Sequence, residues 1–138
     1  MIRKILVAFD GSEPSRKAYD LGLELAAQFQ ADLQVLAVAR PPEPAEDVET
    51  EALLESAQEH FESLFVSLRA QASLAKMSPR FEVRVGHPAD QIMSQAEAEG
   101  VDLIVMGHRG KSFIQRWMMG SVSKQVMNYA HCAVTVVR

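Results

Sequence analysis

The stretch Val105–Phe113, "VMGHRGKSF", contains Gly110-Lys111-Ser112, the closing triplet of a Walker A phosphate loop. Such a loop reads G-x-x-x-x-G-K-[ST], and its glycines let backbone N–H groups wrap phosphate oxygens. Counting back from Gly110 puts the first glycine at position 105, which is Val105. A β-branched residue does not take the positive-φ conformations that a glycine supplies there. The chain after Lys111-Ser112 also runs on through Trp117 and Met119 to another glycine, Gly120. The Walker A reading is set aside. What remains is a longer pattern: Gly107, two residues, Gly110, nine residues, then Gly120-Ser121. Gly107 and Gly110 permit a sharp turn and a close approach to a ligand. Gly120-Ser121-Val122-Ser123 opens a helix, whose free N–H groups and positive dipole end favour phosphate. Ser121 and Ser123 add hydroxyl donors, and Arg109 and Lys111 add positive charge. The same residues also fit a turn followed by a serine-capped helix, and the pattern alone leaves both readings open.

The elements that must hold these residues follow from hydrophobic period. "KILVAF" (Lys4–Phe9) is a short apolar run ended by Asp10-Gly11, the signature of a buried strand. Ala18, Leu21, Gly22, Leu25, Ala26 and Phe29 then recur at helical spacing. "DLQVLAVA" (Asp32–Ala39) predicts a second strand, and "RPPEPAED" a proline-rich acidic loop. Leu53, Ala57, Phe61, Leu64, Leu68, Ala72 and Ala75 mark one long amphipathic helix. "RFEVRV" (Arg80–Val85) alternates, as an edge strand does. Pro88 suits the first turn of a helix carrying Ile92, Met93 and Ala96. "VDLIVM" (Val101–Met106) predicts a buried strand, a short helix starts near Gly120, and "AVTVV" (Ala133–Val137) a closing strand. Five strands alternating with four helices call for an α/β fold, a parallel sheet with helices on both faces. Ligands in such sheets bind beyond the carboxyl ends of the strands, where strand order reverses. Two strands end in suggestive loops, the first in "DGS" and the fourth in "GHRG".

Composition narrows the function classes. The 138 residues suit one domain spanning 1–138, and 48% hydrophobic with 23% charged residues is ordinary for a soluble globular protein. A net charge of −4 argues against nucleic-acid binding, which needs a basic face. No stretch approaches the roughly 18 apolar residues of a membrane span. The apolar run Ile5–Phe9 ends at Asp10, where a signal peptide would continue, so a cytoplasmic protein is expected. The single cysteine, Cys132, and four scattered histidines offer no metal-ligand spacing.

The glycine spacing resembles the ATP-binding signature of the universal stress protein family. "KILVAFDGSEPS" resembles that family's opening strand and aspartate turn, "GHPADQIMSQAEAEGVDLIVMGHRG" its helix-strand-loop block, and "HCAVTVV" its closing strand. The likeness covers essentially the whole chain. It implies a Rossmann-like (adenine nucleotide alpha hydrolase-like) five-stranded parallel sheet of order 3-2-1-4-5 flanked by four helices. It further implies that Ala8 and Asp10 border the nucleoside and that Val38 offers backbone groups to adenine. Met106 and Gly107 should then lie along the ribose and phosphates. Arg109, Gly110, Gly120, Ser121, Val122 and Ser123 should cradle the phosphates. ATP is the implied cofactor, with Mg2+ or Mn2+ riding on its phosphates. The sequence departs from the family at Ala37, where a histidine is frequent and a change beside the nucleoside is expected, and at Ala133, where proline is.

Each residue has a plainer role beside the implied one. Asp10-Gly11-Ser12 can form a turn that caps the next helix, Val38 and Met106 can be core, and His131 and Cys132 structural. His108 is expected to be solvated. No general base stands out, so the expected activity is nucleotide-dependent regulation of a stress response. The alternatives are a slow ATPase or self-phosphorylating enzyme, with Ser112, Ser121 or Ser123 as acceptor, and a scaffold that binds no nucleotide. The apolar segment Lys111–Met119 suggests either a core cover or a contact surface, and the closing strand a homodimer edge, as in the family.

Overall fold

The computed structural model describes residues 1–41, 50–109 and 120–138. Strands β1 (Lys4–Ala8), β2 (Asp32–Ala39), β3 (Arg80–Val85), β4 (Leu103–Gly107) and β5 (Ala133–Val137) form one sheet. Between them lie helices α1 (Glu13–Phe29), α2 (Thr50–Leu74), α3 (Pro88–Glu99) and α4 (Ser121–Tyr129). The expected elements are all present: β2, β3 and β5 keep their expected bounds, and the ends of β1 and β4 differ by one or two residues. The proline-rich reading falls mostly on 42–49, outside the described residues.

Local signals set the helix ends. The Ser12 side chain caps α1 by accepting the Ser15 N–H at 3.3 Å, and the helix stops at Gln30 in the left-handed region (φ 54°). Pro88 occupies the first turn of α3, and Gly100 closes it at φ 65°. All four strand pairings are parallel, in the order β3-β2-β1-β4-β5. The chain steps outward from β1 to β3, then crosses back to β4 beside β1. Strand order therefore reverses between β1 and β4.

Period-2 alternation sorts β1 between two cores. Ile5, Val7 and Phe9 join Tyr19 and Leu23 of α1 and Phe61 and Phe65 of α2. Leu6, with Leu36 and Ile104, packs instead against Ala89, Ile92 and Ala96 of α3 and Val126 of α4. Tyr19 is fully buried and donates its hydroxyl to the Leu68 carbonyl at 2.6 Å, tying α1 to α2. Burial, with Asp20 nearby, pushes its pKa up to about 12. Among the described residues, no helix is long and apolar enough to cross a membrane.

Candidate nucleotide site at the carboxyl ends of the strands

Four of the expected nucleoside and phosphate residues share one face of the sheet. Ala8, Val38, Met106 and Val122 all belong to the core cluster beneath α3 and α4, at its carboxyl end. Ala8 pairs with Leu36, and Val7 with Val105, so Ala8 and Met106 stand level on neighbouring strands while Val38 reaches one pleat further. Met106 is buried; Ala8, Val38 and Val122 are half-buried. The result is an apolar floor at the β1/β4 reversal, drawn from three strands and one helix.

Asp10 stands just past β1 and is half-buried. Its Oδ1 accepts the Ser12 N–H at 2.9 Å, and Ser12 in turn caps α1. The plainer role considered for Asp10-Gly11-Ser12, a capping turn, is thus present in the structure. It does not exhaust the residue, because an ionised carboxylate has about four acceptor sites.

Gly107 has a different neighbour from the one expected. A Cβ at this position would come within 2.7 Å of Pro14 Cβ and 2.9 Å of the Pro14 backbone carbon. The close approach that requires glycine here is to the first turn of α1. Gly107 thereby lets the end of β4 pass close to the start of α1, a few residues after Asp10.

Gly120 is the N-cap of α4 at φ −64° and ψ 156°, and among the described residues no side-chain cap bond is made there. An α-helix leaves its first N–H groups without intrahelical partners, here at the carboxyl end of the sheet. Ser121 is exposed, whereas Ser123 is only 2% exposed. The Ser123 hydroxyl lies 2.8 Å from the His108 carbonyl and 3.0 Å from the Gly120 carbonyl. It is therefore turned inward, while its backbone N–H remains at the helix start. His108, expected to be solvated, is half-buried: its N–H donates to the Val137 carbonyl at 2.7 Å, and ring Nδ1 lies 3.2 Å from the same oxygen. The signal for this was its place one residue past β4, level with the end of β5. Arg109 follows, half-buried. Gly110 and the segment Lys111–Met119, with Ser112, lie outside the described residues.

Ala37 is fully buried in the opposite core, with α1 and α2. Its side chain thus lies on the face opposite Ala8, Val38 and Met106, because side chains of neighbouring strand residues point opposite ways. Cys132 is half-buried, and burial, with Asp102 nearby, raises its thiol pKa. Among the described residues, no three His, Cys, Asp or Glu side chains gather as a metal set.

A five-stranded parallel sheet of this order, with two pairs of helices, defines a Rossmann-like α/β protein. The universal stress protein family model matches residues 1–138, and the chain belongs to that family. It is 37% identical to the universal stress protein YxiE of Bacillus subtilis over 153 aligned positions covering all of both chains. Among solved structures, a universal stress protein UspA from Lactobacillus plantarum superposes with TM-score 0.88 at 27% identity, covering 99% of this chain and 98% of that one. A universal stress protein in complex with cAMP gives TM-score 0.77 at 23% identity, covering 99% and 97%. An AMP-bound family protein from Arabidopsis thaliana gives 0.64 at 18%, covering 98% and 90%. At those last two identities the likeness is one of fold.

Proposed function

We propose that this protein binds ATP at the β1/β4 reversal and acts as a nucleotide-dependent regulator of a stress response. The observation that carries the reading is the convergence of Ala8, Val38, Met106 and Val122 on one apolar floor beside the uncapped start of α4. Adenine is flat and apolar on its faces, and the triphosphate is anionic; such a floor beside a helix N-terminus suits both. That family members of this fold carry cAMP or AMP supports the adenine preference.

In this reading Val38 offers its backbone to the adenine edge, and Asp10 faces the ribose hydroxyls. Met106 and Gly107 run along the ribose and phosphates. Arg109, Gly110, Gly120, Ser121 and Val122 surround the phosphates, with Ser123 contributing its backbone N–H. The residues fit the ligand: the N–H groups of Ser121, Val122 and Ser123 stand at the helix start, and Arg109 adds charge one residue past His108. Mg2+ or Mn2+ rides on the phosphates and neutralises part of their charge. The protein works in the cytoplasm as a homodimer paired through β5, an edge strand with an apolar sequence.

The test is thermal unfolding with ATP, GTP and AMP, with and without magnesium, on protein stripped of bound nucleotide. Ligand at about 100 times its Kd stabilises by about 2.7 kcal/mol, which is roughly 10 °C in Tm for a chain of this length. ATP is expected to produce that rise and GTP a much smaller one. No rise with any nucleotide overturns the reading.

A further inference from the structure

The bonds around His108 join the candidate phosphate site to the edge of the sheet. The His108 carbonyl accepts two donors, the Gly120 N–H at 2.7 Å and the Ser123 hydroxyl at 2.8 Å. Both lone pairs of that oxygen are thereby used. The His108 N–H donates to Val137, the last residue of β5, at 2.7 Å, and ring Nδ1 lies 3.2 Å from the same carbonyl, so it donates there when it carries hydrogen. Gly107, the preceding residue, pairs with Val137 in the sheet register. One residue thus takes the start of α4 through its carbonyl and the end of β5 through its N–H.

Ser123 is the part of this linkage that a ligand role leaves unexplained. At 2% exposure its hydroxyl has one hydrogen, aimed between the His108 and Gly120 carbonyls. To reach a phosphate, it would have to leave the His108 carbonyl and turn outward from a buried position. Burial of a hydroxyl is tolerated when it is bonded and costs when it is not.

We infer that Ser123 is a positioning residue whose side chain does not touch nucleotide. Its hydroxyl, with His108, couples the phosphate-facing start of α4 to the C-terminal end of β5. This rests on the nucleotide reading above and deepens it. Phosphate drawing on the N–H groups of α4 holds Gly120 and Ser123 in place. They hold the His108 carbonyl, and the His108 N–H holds Val137. A bound nucleotide is then felt at the sheet edge, remote from the base.

Amide hydrogen exchange of the full chain, followed residue by residue by NMR with and without ATP and magnesium, tests this. In wild type, saturating ATP should slow exchange at both the Gly120 and His108 amides. In Ser123→Ala without nucleotide, both should exchange about five- to tenfold faster, the worth of one lost hydrogen bond. With saturating ATP, that variant should regain protection at Gly120 but less than half of the wild-type gain at His108, because only the Gly120 N–H then holds its carbonyl, and Ser123→Thr, which keeps the hydroxyl, should restore both. Two results overturn the inference while leaving ATP binding intact. One is unchanged exchange in nucleotide-free Ser123→Ala with weakened ATP binding, which makes the hydroxyl a phosphate ligand. The other is full ATP protection at His108 in that variant. If Ser123→Ala does not fold, Ser123→Cys, which keeps a side chain of similar size with a weaker donor, serves in its place, with the same expected and overturning results. Wild type that binds no nucleotide overturns the functional reading and this inference together.

Discussion

The two ends of the sheet are closed by different chemistry. At the amino ends, the Asp102 carboxylate accepts the N–H groups of Arg3 and Lys4 at 2.8 and 3.0 Å, and Arg80 pairs with Glu99 at 3.2 Å. Two cavities among the described residues, about 310 and 460 Å³, lie toward this end, lined by groups such as Gln34, Arg80 and Glu99. At the carboxyl ends, an apolar floor meets glycine, helix starts and backbone bonds. A search by volume and side-chain charge would choose the amino end. Topology and helix direction choose the other, because parallel strands joined by helices aim every helix N-terminus at the carboxyl side. A site for an anion can thus be built with few charged side chains.

Substitutions at each end test that difference. The largest effect is expected at Gly120→Val. Valine adopts φ −64° and ψ 156° without strain, so the variant should fold, with a loss of up to about 1 kcal/mol from a poorer cap. It should nevertheless lose the ATP-dependent rise of roughly 10 °C in thermal unfolding; a retained rise would remove Gly120 from the site. Gly107→Ala comes next. Its Cβ meets the Pro14 backbone, and overpacking of about 1–3 kcal/mol should lower the nucleotide-free Tm by roughly 3–10 °C. An unchanged Tm would mean that β4 and α1 can separate freely.

Tyr19→Phe probes the middle of the molecule, away from both ends. Loss of its bond to Leu68 should cost about 1 kcal/mol in chemical denaturation near neutral pH and leave ATP binding unchanged. The folded-state pKa of Tyr19 is raised, so its contribution is whole below the ordinary tyrosine pKa and is lost as pH rises toward about 12. The gap between wild type and variant should therefore shrink on going alkaline. The smallest effect belongs to Asp102→Asn at the amino end. Backbone N–H groups of Arg3 and Lys4 hold the Asp102 carboxyl below its usual pKa. Its contribution is thus present above the ordinary carboxylate range and fades as pH falls through the lowered value. The Tm difference from wild type should be larger at pH 7 than near pH 3, with ATP affinity unaltered at neutral pH.

Much of the fold was legible because its period changes are sharp. Continuous apolar runs marked β1 and β4 as interior, and the alternation of Arg80–Val85 marked β3 as an edge, where it stands. Pro88 located the start of α3. Less of the site was legible, since it depends on which way a short side chain turns. Ser121 and Ser123 look alike in sequence, yet one is exposed and the other is buried against the His108 carbonyl. Ala37 and Val38 are adjacent and lie in opposite cores. The link from His108 to Val137 spans 29 positions, and nothing local in the sequence encodes it.

Gly107 and Gly120 are counted together when the chain is read as a motif, but they answer to different pressures. The space at Gly107 is taken by Pro14 of the chain itself, whereas Gly120 has torsion angles that other residues adopt. Under drift in a lineage that no longer needed nucleotide, the second glycine would be released to mutate and the first would stay. The pair therefore works as an evolutionary gauge. On the proposed function, a homologue that keeps the glycine facing Pro14 but has replaced the one before α4 is expected to keep its fold and to bind no nucleotide.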